Sequence, residues 1–205
     1  MLKKINSILI LILITLIAIV ILTFLGPQEE SLGNNVRLVY LHGAWVLTAE
    51  IAFLAAAIIG VGALVMRKNN LHAWSRAFGL TGILFWITYL PLSLWAMQAN
   101  WNGLFLAEPR FRLALIFAVT GVILQLGLLV MNIPWLTSLA NILFIITLRI
   151  VFSSASYIMH PPPSPIFNSG NNLLIVYFIL LNLLTWVAAY LVTRCLILIT
   201  TRKSV

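Results

Sequence analysis

The chain has 205 residues, 62% of them hydrophobic and 8% charged, and its mean hydropathy of +1.10 excludes a water-soluble domain. Crossing a hydrocarbon core near 30 Å takes about 20 helical residues, so the chain holds roughly six spans and little else. Its formal charge of +8 forms no continuous basic stripe but gathers at the ends of apolar runs, which reads as membrane topology and excludes a nucleic-acid partner.

Lys3 and Lys4 precede an unbroken apolar run that resembles a signal peptide in outline. The run is too long for a signal core, and LTFLGPQEE has no small-x-small cleavage site, so it reads as a retained first span, 8–25. Gly26 and Pro27 stop it, and Glu29 to Asn35 form a polar loop. The second span, 39–66, starts at YLHGAW and ends at Arg67 and Lys68. RKNNLHAWSR follows as an inner connection, with His72 expected to be solvated.

The third span, 77–97, carries Pro91, which predicts a kink. The polar interruption WNGLFLAEPRFR, Trp101 to Arg112, leads to a fourth span, 113–130, and a short turn, MNIPW. The fifth span, 136–155, opens into SYIMHPPPSPIFNSGNN, where three consecutive prolines impose an extended path. The sixth, 173–192, contains no cysteine, and Cys195 just beyond it, the single cysteine, reads as a helix-packing residue.

Eight basic residues fall on the inner side (Lys3, Lys4, Arg67, Lys68, Arg76, Arg194, Arg202, Lys203) and three outside (Arg37, Arg110, Arg112). The bias predicts both termini in the cytoplasm and one all-α membrane domain of six helices over 1–205, multi-pass in the cell inner membrane. The common catalytic motifs are absent and only four acidic residues exist, so no enzyme is expected.

Two histidines on different helices, His42 and His160, are expected to converge on the outer surface. Neutral imidazole on either face of a flat macrocycle is a common way to hold a b-type haem; the plainer reading is a pair of interfacial polar anchors. Arg37, Arg110 and Arg112 suit haem propionates or lipid headgroups. Glu50 lies about 12 Å inward of His42 and Arg149 about 16 Å before His160 at 1.5 Å per residue. At similar depth, and costing a few kcal/mol each if unpaired, the two are expected to form an ion pair between spans 2 and 5.

Three segments resemble the haem exporter protein C (CcmC/CcsA-like) family of cytochrome c assembly proteins, across about residues 35–165. VRLVYLHGAW is similar to that family's R-I-x-Y-x-H-V-P-x-A-W segment, without the V-P pair. WNGLFLAEPR is similar to its tryptophan-rich W-G-x-W-W-x-W-D-x-R loop, matching Trp101 and Arg110 and placing Glu108 on the aspartate. Leu104, Phe105 and Ala107 stand where that loop has tryptophans, which marks a divergent member. FSSASYIMHPP is similar to the segment ending in the second family histidine, here His160.

The resemblance implies a haem held by His42 and His160 and covered by the loop; with the residue reading above, the expectation is a non-covalent haem b with Arg37, Arg110 and Arg112 on its propionates and Trp101 and Phe105 beside the ring. It also implies delivery of haem to a haem chaperone or another cytochrome c maturation protein. The alternative is an integral structural subunit of a respiratory or photosynthetic membrane complex, with or without haem. A transporter has less support, since few polar groups fall inside the spans and no paired broken helices are evident.

Overall fold

A computed structural model describes residues 2–156 and 166–202. Among them are α1 (Leu2–Phe24), α2 (Val36–Met66), α3 (Asn69–Trp101), α4 (Pro109–Met131), α5 (Pro134–Ser153) and α6 (Asn172–Arg202). All six are long and apolar enough to cross a membrane, as expected of a multi-pass membrane protein. Short reversals alternate the helix directions. One end of the bundle carries the start of α1, the end of α6 and the two tight turns (the termini face), and the other carries the helix ends that the three longer connections join (the loop face).

α2 and α3 make the largest helix contact and form the central pair. α5 and α6 each touch both members of this pair but not each other among the described residues, so they flank it on opposite sides. α4 closes the side of α3 and α5, while α1 rests on α6 and reaches α2. Lipid is as apolar as leucine, so helices associate through close packing and interhelical hydrogen bonds. α2 presents Ala44, Thr48, Ala52, Ala56 and Gly60, a buried stripe of small residues at every fourth position. At Gly60 an added Cβ would lie 3.1 Å from the Ser138 carbonyl oxygen and from Ser75 Oγ, so a side chain there would push α3 and α5 away.

Polar side chains face inward and pair across helices. Thr48 Oγ1 donates to Thr185 Oγ1 at 2.7 Å, and Thr81 and Thr193 share a hydrogen bond of 2.8 Å, so α6 is pinned to both central helices. On the opposite flank, Gln125 Nε2 donates to Asn141 Oδ1 at 2.9 Å. Asn141 Nδ2 donates to the Ser75 carbonyl at 3.0 Å and lies 3.1 Å from Ser75 Oγ, which itself donates to the Ala56 carbonyl at 2.8 Å. One buried chain of hydrogen bonds thus links α4, α5, α3 and α2. Cys195 is buried in α6.

Several helices outrun the spans expected from hydropathy, because the backbone stays helical beyond the hydrocarbon layer. α3 begins at Asn69 rather than near Ala77 and continues unbroken past Pro91 to Trp101. Arg67 takes the left-handed conformation at φ 53°, and this residue with Lys68 completes the reversal after α2. His72 therefore lies within a helix, and the expectation of a solvated loop residue is corrected. It is 7% exposed, with Nδ1 2.7 Å from Ser138 Oγ on α5. Its polar neighbours in sequence do not expose it, because α3 turns that side of the helix onto α5. α6 likewise runs on to Arg202, ten residues past the expected end of its span.

Candidate functional site

At the loop face a cavity of about 420 Å³ opens between α2, α3, the start of α6 and the α1–α2 loop. Pockets that bury organic ligands fall in the range of about 300–1,000 Å³. Val36, Val39, Tyr40 and His42 enter it from the first two turns of α2, at the spacing that brings 36, 39 and 40 to one helix face. Ser93, Ala96, Met97, Asn100 and Trp101 enter from the last turns of α3, and Leu174 and Ile166 close the α6 side. His42 also packs against the Tyr89 ring, with centroids 5.6 Å apart.

The rim is ordered by local chemistry. Glu29 Oε2 accepts hydrogen bonds from Ser31 Oγ at 2.5 Å and from the backbone N–H groups of Ser31 and Leu32 at 3.0 Å each, closing an Asx-like turn. The Ser31 hydroxyl bond, ahead of the backbone donors, holds the Glu29 carboxyl below the usual carboxylate range. This turn is therefore supported above that range, and the support is lost as pH falls through the depressed value. Asn35 Nδ2 donates to the Ala99 carbonyl at 2.7 Å, joining the start of α2 to the end of α3 across the cavity mouth. Inside, the Tyr40 ring is fully buried, and its hydroxyl has no hydrogen-bond partner among the described residues. A buried hydroxyl left in this way is a ready donor for a bound ligand.

Of the residues singled out in the sequence, His42 and Trp101 line this cavity together, and Phe105 meets Trp101 edge-on with centroids 5.7 Å apart. The arginines are placed differently. Arg37 Nε donates to the Gly26 carbonyl at 2.9 Å and so fastens α2 to the end of α1. Arg110 lies on the first turn of α4, near enough to act electrostatically on Glu50, and Arg112 is exposed; neither lines the cavity. His160 lies outside the described residues, six positions before Ile166 in the chain. Among the described residues no cluster of three or more His, Cys, Asp or Glu side chains could hold a bare metal ion.

Glu108 is the N-cap of α4. Its Oε2 accepts from the Phe111 N–H at 2.6 Å, Pro109 occupies the first helical position, and the side chain is 4% exposed. Glu108→Ala is expected to cost about 1 kcal/mol through loss of the cap, read as a lower melting temperature in detergent. An unchanged melting temperature would remove the capping assignment.

Glu50 and Arg149 meet as their depths suggest, Arg149 Nη1 donating to Glu50 Oε2 at 2.9 Å between α2 and α5. Tyr40, Ser93 and Met97 belong to the cavity but were not singled out as ligand contacts from the sequence. The signal for Ser93 and Met97 was their i, i+4 spacing from Tyr89 along α3, which acquires meaning only when α2 lies beside that face.

No family model, curated protein or solved structure matches this chain.

Proposed function

We propose that the protein holds a b-type haem at the loop face and presents it for cytochrome c maturation, without covalent chemistry on its own side chains. The observation that carries this reading is the cavity shared by His42 and Trp101, two residues from separate segments that resemble the haem-handling family. With both termini cytoplasmic, as the distribution of basic residues argues, the cavity opens on the outer side of the membrane.

The lining suits a macrocycle. Val36, Val39 and Leu174 offer apolar contact, and the buried Tyr40 hydroxyl and the Asn100 amide offer polar contacts. Bound there, haem would supply an iron centre that accepts imidazole nitrogen. His42, its ring packed against Tyr89, and His160 would be the two residues that hold the haem through imidazole nitrogen. Trp101, at the mouth, would cover the ring edge and exclude water, with Phe105 supporting it. Arg37 is engaged by the Gly26 carbonyl, and neither it nor Arg110 nor Arg112 lines the cavity, so the three would act on the propionates only as positive charges at the same end of the bundle. A haem chaperone or another maturation protein would receive the haem at the same face.

The test is a reduced-minus-oxidised absorption spectrum of the detergent-purified protein beside His42→Ala and His160→Ala. The expected result is a b-type spectrum in the parent that is lost or shifted in both variants. A parent that takes up no haem even when haem is added would overturn the reading. Stable stoichiometric co-purification with redox subunits would then favour the structural-subunit alternative.

A further inference from the structure

The termini face holds a second, smaller cavity of about 120 Å³, independent of the haem reading. This is several times the roughly 30 Å³ of one liquid water and too small for a macrocycle. Its lining includes Asn69 and His72 from the first turn of α3, Arg76 from the next, Asn132 from the α4–α5 turn, Thr137 from the first turn of α5, and Thr200 of α6.

Four features give this cavity the chemistry of an anion site. The start of α3 at Asn69 and of α5 at Pro134 meet the C-cap of α4, Asn132, at this cavity, and Lys68, the N-cap of α3, makes no side-chain capping bond. Arg76 is half-buried at the wall, where Asn132 Oδ1 accepts from its Nη1 at 3.0 Å. Its Nε is buried with no hydrogen-bond partner among the described residues. His72, which lines the cavity, is more than nine-tenths buried, and its Nδ1 lies 2.7 Å from Ser138 Oγ, so Nε2 is the ring nitrogen not engaged by that contact.

Charge balance points the same way. The chain has four acidic side chains, Glu29, Glu30, Glu50 and Glu108, and none of them lines this cavity. The Arg76 guanidinium therefore enters a partly desolvated site with no acidic side chain on its walls to offset it. A tetrahedral oxyanion matches this donor set, because guanidinium and imidazole N–H groups and the backbone N–H of Asn69 at the start of α3 all donate, and such groups bind phosphate oxygens well.

We propose that this cavity binds a phosphate group, supplied either by an anionic phospholipid headgroup at the membrane surface or by free phosphate, with Arg76 as its principal contact and His72 as the second. Bound phosphate would tie α3, α5 and α6 together at the termini face.

The experiment is a titration of the full chain, delipidated in neutral detergent, with dihexanoyl phosphatidylglycerol, with inorganic phosphate, and with chloride as the ionic control. Melting temperature and native mass spectrometry are read together on the parent, Arg76→Gln, Arg76→Lys, and Arg194→Gln, which removes a charge from an exposed position of α6. We expect saturable binding at one site per chain and affinity weakened about tenfold or more by Arg76→Gln. Arg76→Lys should recover part of it, and Arg194→Gln should bind like the parent.

Saturable binding of the lipid alone assigns the site to a headgroup, and binding of inorganic phosphate assigns it to the free ion. Failure of the parent to bind either probe beyond the chloride control overturns the proposal, whether or not the Arg76 variants fold. Equal binding by the parent and Arg76→Gln, or equal weakening by Arg194→Gln, overturns it as well.

Discussion

Arg149→Glu is expected to abolish stable assembly, and the double reversal Glu50→Arg with Arg149→Glu to restore most of it. The single reversal faces Glu50 with a second carboxylate across a gap that now holds a hydrogen bond of 2.9 Å. An ionised side chain in the middle of a span costs about 2.5–3.5 kcal/mol when it lacks a partner, and like charge at close range adds to that. The Glu50 side chain is 23% exposed and that of Arg149 62%. The carboxylate thus lies closer to the bundle interior, and the guanidinium reaches it from the α5 surface. Monodisperse yield on size exclusion in detergent measures the outcome. Normal yield from both single reversals would show that water or lipid headgroups already serve each charge separately.

Asn141→Leu is expected to destabilise the bundle by about 2 kcal/mol, because it removes the side chain through which α4, α5 and α3 are joined. The Gln125 amide, 3% exposed, would lose its acceptor, and Ser75 would lose a donor to both its carbonyl and its hydroxyl. Interhelical hydrogen bonds in membrane proteins average near 0.6 kcal/mol each. The expected effect is larger because a buried amide left without a partner carries its own desolvation cost. Gln125→Leu combined with Asn141→Leu should be less destabilised than Asn141→Leu alone, since both partners of that bond are then apolar. Unfolding in mixed detergent measures all three. A double variant worse than the single one would show that packing around residue 141, rather than the orphaned Gln125 amide, sets the cost.

Both predictions rest on interactions between helices, and they differ in how far the sequence foretold them. Glu50 and Arg149 could be matched from sequence because an unpaired charge in hydrocarbon is too costly to leave, and depth along a helix is simple arithmetic at 1.5 Å per residue. Few charged residues compete for that depth, so the pairing had one natural solution. The Gln125–Asn141–Ser75 chain had no such mark. Neutral amides and hydroxyls are common in spans, and their partners depend on how each helix is rotated about its axis.

The same reason explains what was legible at the loop face. Composition and apolar run length determined the membrane class, the six helices and the approximate position of every turn, because burial of apolar surface and the cost of unpaired backbone in lipid act on each segment separately. Tertiary structure decided which side chains share a cavity. Trp101 joins His42 there, Arg37 turns to the Gly26 carbonyl, and Arg110 and Arg112 stay on α4. Tertiary structure also decided the surroundings of His72, whose hydrophilic neighbours in sequence suggested solvent while α3 turns its ring onto Ser138 of α5. Hydropathy sums over a segment and carries no rotation angle, whereas small-residue packing and polar pairing between helices set that angle, and through it the membership of both cavities.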